Sequence, residues 1–93
     1  MRSNEEIKEY IDYYEKQNVE FESMGLDMMF NNISCIVRNN NIIVLLRTLF
    51  AWEDKTQQDV KDLKEACDHS LKNTNIERYN HFIEALNWFI NES

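Results

Sequence analysis

Ninety-three residues, 43% of them hydrophobic and 12% aromatic, make one domain of ordinary globular composition and exclude a disordered chain. One glycine and no proline exclude most sheet-rich folds, whose strand reversals need such residues at nearly every turn. A net charge of −7 repels phosphate backbones and anionic lipid, so nucleic acid and membrane surfaces are not expected partners; a basic protein surface is the better match.

The first predicted element begins at Ser3. Ser3 and Glu6 have the spacing of a capping box. Ile7, Tyr10, Ile11, Tyr14 and Phe21 then recur at helical intervals, with Asn18 on the same stripe. The opposite face carries Glu5, Glu9, Asp12, Lys16 and Glu20. Gly25 stands where a left-handed residue would close the helix, so the spacing predicts a helix over 4–24. Eight acids against three bases make residues 1–27 the most acidic part of the chain.

Next, Leu26, Met29 or Phe30, Ile33 and Ile36 or Val37 fit a helix over 26–38. Asn39, Asn40 and Asn41 read as a turn and the next N-cap. Residues 42–52, "IIVLLRTLFAW", are apolar nearly all round and mark a central buried element. A rival pattern competes here, because "ISCIV" and "IIVLL" around "RNNN" also suit a β-hairpin. A lone hairpin is marginal and no third strand is in sight, so helix is the favoured reading. The 42–52 stretch, interrupted by Arg47, is too short to span a bilayer.

Thr56 is the expected cap of a helix with Val60, Leu63, Cys67 and Leu71 on its inner stripe. Residues 72–75 break it, and Thr74 with Glu77 has capping-box spacing. The last stripe is Ile76, Tyr79, Ile83, Leu86 and Ile90, widened by Phe82 and Phe89. Trp88 does not fit: at 100° per residue it points roughly 170° from the stripe centre. The expected fold is all-α, a compact bundle of four to five short helices within one domain, 1–93, with a central apolar helix near 42–52.

Chemistry is sparse. Cys35 and Cys67 lack metal-ligand spacing and fall within apolar patterns, as buried thiols in a reducing cytoplasm would. No apolar leader opens the chain, so a cytoplasmic location is expected. Glu65–His69 and Glu77–His81 are i,i+4 pairs, but both histidines point away from their stripes, where they read as solvated pairs rather than metal ligands. No nucleophile stands beside an oriented base, and no glycine-rich loop cradles phosphate. Neither enzyme activity nor a cofactor is expected.

What remains is surface. Trp88, with Tyr13 at the stripe's edge, Val19 on the polar side and the acids Glu5, Glu9, Asp12 and Glu20, forms the candidate partner-binding set, because tryptophan is enriched among interface hot spots. The competing reading wraps the last helix on two sides and makes Trp88 internal. The function expected is that of a small acidic cytosolic module that docks on a protein partner and regulates or inhibits it. Immunity proteins and phage inhibitors share this physical type of size and charge. Two alternatives stand beside it: a structural homodimer with no separate partner, and a DNA mimic that inhibits a nucleic-acid-binding protein.

Overall fold

A computed structural model describes residues 1–53 and 55–91. Among the described residues there are five α-helices and no strand: α1 (Asn4–Ser23), α2 (Leu26–Asn31), α3 (Ile33–Ala51), α4 (Gln57–Ser70) and α5 (Ile76–Ile90). The all-α expectation holds and the hairpin alternative does not. Apolar side chains of α1, α3 and α5, with Val60 of α4, meet in one buried cluster. Ile7, Leu46, Leu49, Leu86 and Phe89 have no exposed surface, and each such residue contributes about 1.5–3 kcal/mol by leaving water.

Local signals set the helix ends. Ser3 and Glu6 form the expected reciprocal capping box, and Thr56 forms another with Asp59. The Thr74–Glu77 box does not form. Asn75 caps α5 instead, its side chain accepting from the Arg78 N–H, while the Thr74 hydroxyl donates back to the Ser70 carbonyl. Gly25 has a positive φ of 95°, but its ψ of 167° is extended rather than left-handed helical. It therefore serves as N-cap of α2, and α1 ends at Ser23 with Met24 as its C-cap, the Met24 N–H donating to the Phe21 carbonyl.

The largest departure lies at Asn39–Asn41. No turn occurs there, and α3 runs unbroken through all three asparagines. The break falls at Asn32, between α2 and α3, where φ is −111° and ψ 15°. Three asparagines cost a helix at most about 2 kcal/mol relative to alanine, and neighbouring helices bond to each of their side-chain amides. Asn39 Nδ2 donates to Gln17 Oε1 (2.9 Å) and Asn18 Oδ1 (3.0 Å) of α1. Asn18 Nδ2 donates to Asn40 Oδ1 at 2.9 Å, and Asn41 Nδ2 donates to His81 Nδ1 of α5 at 3.0 Å. His81 is consequently half-buried rather than solvated.

These contacts set the packing. Asn18 beside Asn39 and Asn40, with Asn4 bonded to Lys55, shows that α1 runs opposite to α3. The other side of α3 packs on α5, and α4 packs on α5. As one continuous helix, α3 has the length and composition to cross a bilayer, which the 42–52 stretch alone lacks. Here it is the central helix, with Ile42, Leu45, Leu46 and Leu49 in the shared core.

Candidate docking surfaces

Trp88 sits where the start of the chain crosses the end of α5. Its ring stacks on Tyr10 of α1, with centroids 4.1 Å apart and planes at 22°. The Arg2 guanidinium lies over the same ring, 4.7 Å from its centroid. Arg2 also closes the end of α5, its backbone N–H donating to the Phe89 carbonyl (2.9 Å) and its Nε to the Trp88 carbonyl (3.0 Å). Helix α5 has no base in its own last turn, so Arg2 supplies the positive charge that a helix C-terminus favours. The Trp88 side chain is half-buried and packs against the core. It points away from its own stripe because a second layer, Tyr10 and the N-terminal residues, covers that side.

Around this contact lies an open depression of about 290 Å³ lined by Arg2, Glu6, Glu9, Tyr10, Tyr13 and Trp88. Glu6 pairs with Arg2 at 3.1 Å, and that hydrogen bond, followed by one from the Ser3 backbone, holds the Glu6 carboxyl below the usual range. Tyr14, beneath, donates its hydroxyl hydrogen bond to Tyr10 at 3.0 Å. Burial first, and then this bond, push the Tyr14 phenol well above its ordinary value.

The structure divides the candidate set. Trp88, Tyr13 and Glu9 share the depression, and Tyr13 is exposed. Glu5 and Asp12 are exposed on the outer face of α1. Val19 and Glu20 are exposed too, but nearer the other end of the helix. Cys35 departs from expectation by being exposed, while Cys67 is buried; both are free. Burial, and then the neighbouring Asp68 charge, push the Cys67 thiol up. Among the described residues no three His, Cys, Asp or Glu side chains gather as a metal site.

A larger surface lies elsewhere. Of the residues expected to form the inner stripe of 26–38, Leu26 is 69% exposed and Phe30 64%, with Ile33 and Val37 also exposed, while Ile36 is buried and Met29 half-buried; Met24 and Met28 beside them are exposed as well. Helix α2 buries none of its side chains. The apolar surface continues along α3, where Ile33, Val37, Val44 and Ala51 share one face with Asn40 and Thr48, and Val44 is 56% exposed. Val19 joins it from α1, because it lies one turn from Glu15, which pairs with Arg47 of α3. Of the twelve exposed large hydrophobic residues among those described, eight lie between Val19 and Val44. Apolar residues scattered singly on a surface need no explanation, but these are concentrated in one stretch of the chain.

Periodicity alone missed this surface because it gives an apolar direction and not a partner. Helices α1 and α5 cover the 42–49 side of α3, and among the described residues no sixth helix covers the other. No protein-family model, curated protein or solved structure matches this chain.

Proposed function

We propose that this protein is a binding module that docks on another protein through the apolar surface of α2 and the outer face of α3, and regulates or inhibits that partner by occupying it. The observation that carries the reading is the concentration of exposed apolar side chains from Met24 to Val44. The net charge of −7 favours a basic protein as the partner, while the α2–α3 surface itself carries Arg38 and Arg47 against Asp27 alone. The DNA-mimic reading has less support, because Lys16 lies between Asp12 and Glu20 on the outer face of α1 and breaks the run of carboxylates. Trp88, already stacked by its own chain, is a less available anchor than Phe30.

The test is co-purification with the tagged full chain and with a Phe30→Asp/Val37→Asp variant. Both positions are exposed, so the variant keeps its helical circular dichroism. A partner held stoichiometrically by the parent and lost by the variant supports the reading. Equal retention by both removes the α2–α3 surface from it.

A further inference from the structure

The depression where α1 crosses the end of α5 holds one completed contact and one uncompleted copy of it. In the completed one, the Arg2 guanidinium lies 4.7 Å over the Trp88 ring and pairs with Glu6 at 3.1 Å. That is one cation on one ring and one carboxylate. Tyr13 and Glu9, one helical turn apart, line the same depression and supply a second ring and a second carboxylate. Tyr13 stacks on Tyr10 with centroids 6.2 Å apart and planes at 17°, and Tyr10 stacks in turn on Trp88. These contacts fix the Tyr13 ring, yet it remains 57% exposed. Glu9 is exposed too and makes no hydrogen bond or ion pair among the described residues.

The surrounding charges favour a cation in the open position. Along this side of α1, Glu5, Glu6, Glu9, Asp12 and Glu20 stand against Arg2, Lys8 and Lys16, five acids to three bases. Lys8 falls between Glu5 and Asp12, and Lys16 between Asp12 and Glu20, at the spacings that let helical charges meet. Arg2 is engaged by Glu6. From α5, Glu84, one turn before Trp88, is matched by Arg38. Glu9 is the carboxylate left over.

We infer that Tyr13 and Glu9 receive an arginine side chain from a partner protein, its guanidinium stacked on the exposed Tyr13 ring and donating to the Glu9 carboxylate. This contact is independent of the α2–α3 surface proposed above. Arginine fits better than lysine, because a planar guanidinium can lie on a ring while its N–H groups donate within its own plane. At about 290 Å³ the open depression is smaller than most pockets for small molecules, roughly 300–1,000 Å³, and has room for one side chain. An exposed ring and one carboxylate hold a free cation weakly, so the arginine binds usefully only when a larger surface presents it.

The experiment titrates the isotope-labelled full chain with acetyl-Gly-Arg-Gly-amide, following backbone amides by NMR. The same peptide with citrulline in place of arginine keeps the shape and removes the charge. The arginine peptide is expected to shift Glu9, Tyr13 and their neighbours with a Kd of about 1–10 mM, leaving residues 24–44 unmoved. The citrulline peptide should bind at least about fivefold more weakly. Glu9→Gln/Tyr13→Leu should weaken the arginine peptide about tenfold; both positions are exposed, so the spectrum should otherwise match that of the parent, and Glu9→Gln alone should give about threefold. Equal binding of the two peptides, or no loss in either variant, overturns the inference. So does the absence of shifts in the parent; if Arg2→Gln then binds the peptide, the chain's own guanidinium is the site's sole occupant. Spermidine binding tenfold tighter than the peptide overturns it in favour of a free polyamine. Shifts confined to residues 24–44 would move recognition to the α2–α3 surface and equally overturn it.

Discussion

At the scale of single residues, Trp88 and Arg2 act as one unit. The guanidinium above the indole and the two donations to α5 carbonyls tie the first residues of the chain to its last helix. Trp88→Ala is expected to destabilise the isolated protein by about 1–3 kcal/mol, less than the roughly 3–5 kcal/mol of a fully buried tryptophan. A double-mutant cycle with Arg2→Ala should give a coupling of about 0.5–1 kcal/mol in urea unfolding. A coupling of zero would mean the stack contributes nothing. Tyr14 gives a pH signature. Its phenol is held above its ordinary value by burial and by Tyr10, so the folded state keeps the proton more tightly than the unfolded chain. That contribution is complete below about pH 10, the unfolded value, and is lost as the pH rises further. Tyr14→Phe should cost about 1 kcal/mol at pH 7 and make the alkaline decline of the unfolding midpoint shallower. An unchanged alkaline slope would show that another group sets it.

At the scale of elements, the structure separates what local chemistry decides from what partners decide. The start of α1, the cap at Thr56 and the inner stripe of α4 are legible because capping and periodicity act within a few residues, whereas α5 turns Ala85, Leu86 and Phe89 inward and leaves Ile76 and Ile90, at the ends of its expected stripe, exposed. Asn39–Asn41 is misread for the opposite reason: the amides look like a turn until Gln17, Asn18 and His81 arrive from 21–40 positions away to bond them. Asn39 is 1% exposed, and its Oδ1 has no hydrogen-bond partner. Asn39→Ala strands the acceptors of Gln17 and Asn18 as well and should cost about 1–3 kcal/mol. Asn18→Leu/Asn39→Leu removes donors and acceptors together and should cost less than the single change. If it costs more, the amides contribute net stability and not only register. Leu49→Ala, in the centre of α3, should cost about 2–5 kcal/mol; a loss near half a kcal/mol would deny the central position of the helix.

At the scale of the molecule, the buried core and the proposed docking surface lie on different sides of α3. Leu45, Leu46, Leu49, Leu86 and Phe89 lie where α1, α3 and α5 converge, whereas α2 is six residues long and buries none of them. Trp88 was the sequence's conspicuous clue to a surface, yet the fold spends it holding two ends of the chain together. The surface that remains uncovered came from residues whose periodicity reads as core. A short helix held by few buried contacts opens at a fraction of the global free energy. Amides of α2 are therefore expected to exchange with solvent orders of magnitude faster than those of Leu45–Leu49, which should exchange only when the whole protein unfolds. Native-state hydrogen exchange at graded urea measures both. Exchange of α2 should not depend on denaturant, while that of 45–49 should follow the global unfolding energy. If α2 instead shares the global value, its apolar side chains are held by packing and its face is not poised to rearrange around a partner.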